Sequence, residues 1–255
     1  MTRSNWTAYL LSRVGIDVYV YGGNGEPIVD LFPVLCAKEG NNVKDINRVL
    51  NLLYKRIMAG IEMDRIRGVD CSGLGVKKLL EEKIIPSDMT ANGIWEYIVG
   101  TDKKPAHGKK IKLSEVREGD FLFQGSESNK HHIGYAIDET YAVESKNHDE
   151  GVVETKISER GWTHAARPDW YEEEKYILTR ELSYQNPMMR GEDVEKVQER
   201  LNELGYNCGD ADGIFGKKTE IASKNFKHDN GLKCETGTVG KKTAEKLGFE
   251  WRPMQ

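Results

Sequence analysis

Apolar residues spaced three or four positions apart predict a series of helices in the first part of the chain. The clearest run covers residues 43–61, where the apolar positions lie on one helical face. Shorter patterns of the same kind predict helices at residues 4–14, at about residues 71–83 and from residue 86 onward. The apolar positions of the clearest run are Val43, Ile46, Leu50, Leu53, Ile57 and Ile61.

Short apolar runs separated by turn residues replace the helical pattern in the next part of the chain. They predict four strands, which begin at Phe121, His132, Tyr141 and Gly151. Because tight loops join these strands, we expect an antiparallel sheet. Helices followed by such a sheet predict an α+β domain over residues 1–170.

From Thr179 the pattern changes to short helices closed by glycines. Residues 192–204 and 219–230 have the spacing of two amphipathic helices. This part of the chain predicts a second, small all-α domain over residues 183–255, joined to the first by a linker over residues 171–182.

A short repeat supports this prediction for the second domain. The segment Gly216-Lys-Lys-Thr219 recurs as Gly240-Lys-Lys-Thr243. Each copy has the composition of a turn that enters a helix, with the threonine as a candidate cap.

Composition limits the possible partners. The 255 residues include 37 basic and 41 acidic side chains, a net charge of −4, which gives no general argument for binding nucleic acid or an anionic membrane. No apolar stretch is long enough to span a membrane, and the first twenty residues lack the apolar core of a signal peptide. We therefore expect a protein made in the cytoplasm without a signal peptide.

The cysteines and glycines give little reason to expect a cofactor. Cys36, Cys71, Cys208 and Cys234 are widely spaced and form no C-x-x-C pair, so neither a zinc cluster nor a disulfide framework is expected. Cys208 and Cys234 could pair if the fold brings them together. No glycine motif has the spacing that holds a phosphate or a dinucleotide.

Cys71 is the candidate nucleophile. It follows Gly68 and Asp70, a turn former and a good helix cap, and it precedes the helix predicted at about residues 71–83. A thiol at a helix N-terminus faces the positive end of the helix dipole, which lowers its pKa. The Asp70 carboxylate opposes this effect unless it is occupied as the cap. The alternative is a buried structural cysteine.

His132 is the candidate base among the six histidines. In a strand, His132, Gly134 and Ala136 share one face, and these small neighbours would leave space for a second element such as the Cys71 helix. His131 would point with the apolar face or lie at the strand edge. A zinc site formed by His131, His132 and His148 is a weaker alternative.

A histidine base needs an acceptor for its other ring nitrogen. A three-residue hairpin loop centred on Asp138 would place Glu144 directly across from His132, on the same face. A loop shifted by half a step would place Ser145 there instead. Asn147 and His148 remain alternatives for the third position.

In order along the chain, the motifs of the first domain resemble those of NlpC-type cell-wall cysteine peptidases. The resemblance extends over residues 1 to about 170. Its elements are Tyr19-Val-Tyr21-Gly22-Gly23, Val69-Asp70-Cys71-Ser72-Gly73, Glu118-Gly119-Asp120-Phe121, His132-Ile-Gly134-Tyr135, and Glu144 with Gly151-Val-Val153.

This resemblance implies a papain-like α+β fold with Cys71 as nucleophile, His132 as base and Glu144 at the third, polar position. It implies that Tyr19 lies beside the nucleophile, where its hydroxyl and the Cys71 N–H would stabilise the oxyanion. Asp70 and Ser72 would belong to the same oxyanion and substrate-binding region. The chain departs from the family by a long insertion at about residues 24–68, before the cysteine.

The second domain resembles a three-helix peptidoglycan-binding module. Tyr206, Asp212 and Phe215 are the candidates for its wall-binding surface. The matching elements are Gly191-Glu-Asp193-Val194, Gln198, Leu201, Leu204-Gly205-Tyr206, Asp212-Gly213-Ile-Phe215-Gly216, Thr219, Ala222 and Phe226.

Together the two resemblances imply a peptidoglycan hydrolase that uses a cysteine nucleophile and neither metal nor cofactor. The family favours the bond between D-glutamate and the diamino acid. An amidase that cuts between muramic acid and L-alanine with the same residues is the alternative, and an inert wall-binding protein is the alternative of another class. A wall enzyme without an export signal suggests a phage endolysin that acts on the bacterial wall after release.

Overall fold

The computed structural model describes residues 1–29, 35, 37–40 and 42–254. The chain divides into two compact units, Met1–Glu172 and Glu173–Gln255. No helix within the described ranges is long and apolar enough to cross a membrane. Cys36 lies outside these ranges, and Cys71, Cys208 and Cys234 are free thiols.

Each predicted helix of the first unit is present in the structure, and polar caps set where it begins. Asn42 and Thr90 accept backbone N–H groups with their side chains at the start of α2 and α4. The fourth helix therefore begins later than predicted, after Thr90. The bounds are α1 Arg3–Leu11, α2 Val43–Met58, α3 Gly73–Glu81 and α4 Ala91–Val99.

A small sheet precedes the main one and places the start of α3. Strand β3 (Arg67–Val69) pairs in parallel with β1 (Val18–Tyr19) and antiparallel with β2 (Asn24–Pro27). This pairing sets Tyr19 beside Val69, immediately before Asp70. The insertion therefore contributes β2, α2 and most of β3 to the framework around Cys71.

The main sheet has six antiparallel strands in the order β4-β9-β5-β6-β7-β8. The four predicted strands are present as β5 to β8. Strands β4 and β9 were not predicted, because the polar, half-exposed residues of β4 have no clear alternation. The bounds are β4 Gly108–Ile111, β5 Phe121–Ser126, β6 Asn129–Ala136, β7 Tyr141–Asn147, β8 Gly151–Lys156 and β9 His164–Pro168.

The two faces of this sheet carry different cores. On one face Trp6 of α1 stacks on Phe121 at a ring distance of 5.6 Å and meets the edge of Tyr135 at 5.3 Å. Helix α3 packs on this face, with Leu74 in the same core. On the other face Ala136 belongs to a separate core with its neighbours Leu122, Ala142, Trp162 and Ala165.

The second unit is helical, as predicted, and also contains a short strand pair. The buried residues Leu178 and Leu182, from the predicted linker, lie in its core. Gly216 and Gly240 are the helix caps, whereas Thr219 and Thr243 lie one turn inside and are buried, so the predicted threonine caps are wrong. The elements are β10 Ile177–Leu178, α5 Glu192–Glu203, α6 Lys217–Asp229, α7 Lys241–Leu247 and β11 Glu250–Trp251.

The contact between α3 and the sheet requires a glycine at position 75. A Cβ added there would lie 2.4 Å from the Tyr135 hydroxyl, which bonds the carbonyls of Cys71 and Ser72. We predict that Gly75→Ala destabilises the first unit by about 1–3 kcal/mol through overpacking, despite the better helix propensity of alanine. Urea denaturation measures this loss of unfolding free energy.

Gly161 provides the control, because a Cβ there would meet nothing within 4 Å. Gly161→Ala should change stability by less than about 1 kcal/mol. Equal stability of the two variants would contradict the described packing of α3 on Tyr135.

Candidate active site

Asp70 holds the turn that presents Cys71. Its Oδ1 accepts the Ser72 N–H at 2.9 Å, the Ser72 hydroxyl at 3.0 Å and the Gly73 N–H at 2.7 Å. Helix α3 begins only at Gly73, so Cys71 lies just outside its first turn. Asp70 and Ser72, predicted for substrate and oxyanion binding, thus bond each other at the helix start.

The Cys71 thiol lies where two strands of the main sheet separate. Among the described pairings, β6 and β7 are in register only at Tyr135–Val143 and at the next pair. Closer to the start of β6, the Cys71 sulfur lies 4.0 Å from the His131 carbonyl oxygen and accepts a hydrogen bond from the Ile133 N–H. The sulfur therefore contacts the backbone on both sides of His132.

The thiol is held in its protonated form. Burial, and then the charge of Asp70, raise the pKa of Cys71 to about 12, against smaller opposing effects of backbone N–H groups. The predicted lowering of this pKa is wrong. The reason is that burial, followed by the Asp70 charge, outweighs the backbone N–H groups of Ile133, Ser72 and Cys71, which favour the thiolate.

His132 and Glu144 form a hydrogen-bonded pair on the far face of the sheet. The His132 Nε2 lies 2.7 Å from the Glu144 Oε2, and the imidazole stacks on Trp162 at a ring distance of 5.7 Å and 8° between planes. The space above Gly134 is filled by Trp162, not by the Cys71 helix as predicted. Helix α3 packs on the opposite face, against Tyr135.

The predicted hairpin register is wrong by two residues. Tyr135 pairs with Val143, so the loop is centred on Glu139 and Glu144 lies opposite Gly134. Asp138 fixes this loop by accepting the N–H groups of Thr140 and Tyr141. Because a shift of two residues keeps the same face, the long Glu144 side chain still reaches His132 diagonally.

Glu144 has no exposed surface and is held by three groups. Arg160 bonds both carboxylate oxygens, at 2.6 and 2.7 Å, and the Thr155 hydroxyl donates at 2.8 Å. Burial alone would raise the pKa of Glu144, but hydrogen bonds from His132, Arg160 and Thr155 lower it to about 2. Glu144 is therefore ionised throughout the neutral range.

Arg160, Thr155 and Trp162 also surround the His132–Glu144 pair but were not predicted from the sequence. Arg160 and Trp162 follow a 3-10 turn, Ile157–Glu159, and no motif or periodic pattern marks them. Only the pairing of β7 with β8 and the return of the chain into β9 bring them to His132.

The other candidates for the base and for the third position have different surroundings from the His132–Glu144 pair. His131 is exposed and lines the same cavity as Cys71. Asn147 accepts the N–H groups of Asp149 and Glu150 and so closes the β7–β8 turn. His148 bonds Glu39 at 3.0 Å.

The three histidines of the zinc alternative do not converge, since His132 pairs with Glu144 and His148 with Glu39. His148 does share a possible metal-ligand group with Glu39 and Asp45, whose ligand atoms lie within 4.8 Å of one another. Asp45 already bonds Arg48 at 2.9 Å and Asn42 at 2.6 Å. This group therefore acts as a hydrogen-bonded contact between the insertion and the β7–β8 turn.

A cavity of about 490 Å³ opens beside the thiol. Tyr19 lines it, and burial, followed by the neighbouring Cys71 and Asp70, raises the pKa of its hydroxyl, which therefore stays a hydrogen-bond donor. Tyr21 and Gly22 also line this cavity and form one wall of it. Two insertion residues bond this wall: Glu39 accepts the Tyr21 N–H at 2.7 Å, and Lys38 donates to the Gly22 carbonyl at 2.6 Å.

The predicted wall-binding residues of the second unit have structural contacts. Phe215 is fully buried in the core, so its placement does not support a role on the surface. Asp212 accepts the Ile214 N–H at 2.9 Å and the Gln198 amide at 3.0 Å, which shapes the turn before α6. Tyr206 is half-buried against Phe226, and its hydroxyl lies 3.2 Å from Asp229.

Comparison with known families identifies both parts of the chain. Residues 57–170 match the NlpC/P60 family, and residues 190–247 match a peptidoglycan binding domain family. The chain therefore contains an NlpC/P60 domain followed by a peptidoglycan-binding domain.

Similar proteins match parts of the chain. Spore cortex-lytic enzymes of Oceanobacillus iheyensis and Bacillus subtilis are 42% and 44% identical over 57 residues, which is 22% of this chain and 20% and 19% of theirs. The chain thus matches about a fifth of the length of these relatives. The NlpC/p60 domain of the peptidoglycan hydrolase SagA is 22% identical, with a TM-score of 0.30, over 48% of this chain and 97% of that structure.

The raised pKa of Cys71 predicts slow alkylation. The folded protein holds the thiol proton more tightly than the unfolded chain, so near neutral pH Cys71 should react with iodoacetamide at least about tenfold more slowly than it does in urea. The same linkage predicts that the native state loses stability as pH rises above the ordinary thiol pKa of about 8.5.

Peptide-resolved mass spectrometry would follow each cysteine separately. Asp70→Asn should speed the alkylation of Cys71, because asparagine keeps the cap and removes the charge. If the folded Cys71 reacts faster than the unfolded thiol, the described protonation state is incorrect.

Proposed function

We propose that this protein is a peptidoglycan hydrolase that cleaves a stem-peptide amide bond with Cys71 as the nucleophile. The observation that carries the proposal is the position of the Cys71 sulfur against the backbone flanking His132, whose imidazole is oriented by Glu144. A thiol, an imidazole and an orienting carboxylate are the three groups that covalent amide hydrolysis needs. The matches to the NlpC/P60 and peptidoglycan binding families support this chemistry and its substrate.

The geometry suggests the roles in the reaction. With Nε2 bonded to Glu144, the His132 Nδ1 accepts the thiol proton as the sulfur attacks the carbonyl carbon. Because the thiol is protonated in the free protein, the proton moves to His132 while the sulfur attacks, without a thiolate forming first. The Cys71 N–H and the neutral Tyr19 hydroxyl stabilise the oxyanion.

Collapse of the tetrahedral intermediate releases the amine, which takes its proton from His132. A water molecule, deprotonated by the same imidazole, then attacks the thioester and frees the acid product. Glu144 remains ionised and keeps the imidazole in the correct tautomer in both halves. Asp70 and Ser72 present the nucleophile and border the cavity in which the acyl part of the stem peptide would bind.

The proposed bond lies between D-glutamate and the diamino acid, as the family resemblance favours. Cleavage between muramic acid and L-alanine by the same residues is the second candidate. The expected phage origin gains no support, because the curated relatives are spore cortex-lytic enzymes of bacteria. The proposed place of action is the bacterial cell wall.

The variants Cys71→Ala and His132→Ala should each lower the hydrolysis of purified walls by at least about a hundredfold, because each removes a group that takes part in bond making. Mass spectrometry of the released fragments identifies the bond. New amino groups on the diamino acid support the endopeptidase, and new amino groups on alanine support the amidase.

Cys234→Ser is the matched control and should keep most of the activity, and His131→Ala tests the alternative base. Loss of activity in His131→Ala with retention in His132→Ala would make His131 the base. Full activity of Cys71→Ala would exclude the thiol mechanism. If wild type releases no fragment, the alternative of a wall-binding protein without catalytic activity would be favoured.

The second unit should act as a tether that raises the local concentration of substrate. A chain ending at Glu172 removes the whole unit, including Leu178 and Leu182 of its core. We expect this variant to bind sedimented walls at least about tenfold more weakly and to cleave soluble muropeptides at the wild-type rate. Unchanged wall affinity would contradict the tethering role.

A further inference from the structure

The Arg160 side chain is the main anchor of the Glu144 carboxylate. Its Nε and Nη2 bond the two oxygens at 2.6 and 2.7 Å in a parallel fork. Glu144 is fully buried, while the Arg160 side chain keeps a quarter of its surface exposed. The arrangement fixes the carboxylate plane and therefore the oxygen that receives the His132 Nε2–H.

Arg160 also neutralises the charge behind His132. Around this imidazole, the Glu144 carboxylate bonds Nε2 and the Arg160 guanidinium lies beyond that carboxylate. The Cys71 sulfur contacts the backbone on either side of His132, and His131 is its neighbour on the strand. Without Arg160 the imidazole would face an uncompensated buried carboxylate, which favours the protonated ring. A protonated His132 cannot accept the thiol proton.

Trp162 joins the guanidinium to the imidazole on the same face of the sheet. The Arg160 Cζ lies 5.8 Å from its ring centroid, and the His132 ring stacks on it. Arg160 and Trp162 therefore restrain His132 from two directions, through the carboxylate and through the indole.

We propose that Arg160 is a positioning residue for catalysis, which holds the His132 imidazole in place by anchoring and neutralising the Glu144 carboxylate that bonds it. This inference rests on the proposed cysteine hydrolase function. It assigns Arg160 no contact with the substrate, so KM should depend little on it.

The test is the pH profile of kcat/KM for Arg160→Met in the full chain. We expect its acid limb to move upward by about one pH unit and kcat at neutral pH to fall by about tenfold or more, with little change in KM. Arg160→Lys keeps the charge without the fork, so it should leave the acid limb in place and lower kcat only. Millimolar guanidinium should restore part of the activity of Arg160→Ala, and urea at equal concentration should not.

Lys156→Met is the matched control, because it removes the same charge just before the turn that precedes Arg160, and Lys156 pairs with the exposed Glu159. Its pH profile should equal that of wild type. A structural role alone for Arg160 would lower the rate equally at every pH.

An independent measurement separates this inference from the proposed function. In the Cys71→Ala background, nuclear magnetic resonance follows the His132 ring signals as the pH is varied. The midpoint should lie higher in Arg160→Met than in the parent, even if wild type cleaves no peptidoglycan. Equal midpoints, or an unmoved acid limb in an active and Cys71-dependent enzyme, would overturn the inference. If Arg160→Met does not fold, the guanidinium dependence of Arg160→Ala and the lowered kcat of Arg160→Lys decide it.

Discussion

The separation of β6 from β7 beyond the Tyr135–Val143 pair is the constraint on which the site depends. Because β7 does not pair with residues 131–133 of β6, the Cys71 sulfur contacts their backbone where a strand would otherwise pair. Ser145, on the separating part of β7, donates instead to the Val69 carbonyl of β3 at 3.0 Å. The small sheet therefore contacts β7 where β7 diverges from β6, and it places Cys71 beside residues 131–133 of β6.

Two charge arrangements follow from this packing. Burial and the Asp70 charge keep the Cys71 thiol neutral. Hydrogen bonds from His132 and Arg160 keep the fully buried Glu144 ionised. The His132 imidazole bonds the ionised carboxylate, and the Cys71 thiol lies against the backbone on either side of His132. The insertion also supports the site, since its residues Glu39 and Lys38 bond the backbone of Tyr21 and Gly22 in the cavity wall.

Much of the fold was predictable because the helices and the central strands have strong apolar periodicity and polar caps. Strands β4 and β9 were not predicted, since their pairing is set by the sheet and not by local pattern. The sequence predicts Cys71, His132 and Glu144 as site residues, and the structure shows the contact between His132 and Glu144. The hairpin register and the thiol pKa were predicted wrongly. The hairpin register depends on Asp138 closing a loop around Glu139, and the thiol pKa depends on the burial of Cys71 and then on the charge of Asp70. The role of Arg160 follows only from its tertiary contacts with Glu144.

The most direct test of the central claim is the intact mass of the protein quenched in acid shortly after mixing with a purified muropeptide. If Cys71 is the nucleophile, we expect a transient species heavier by the acyl part of the substrate, with the thioester on the peptide that contains Cys71, and no such species in Cys71→Ala. Product formation by wild type with the label on another residue, or by Cys71→Ala at the wild-type rate, would contradict it.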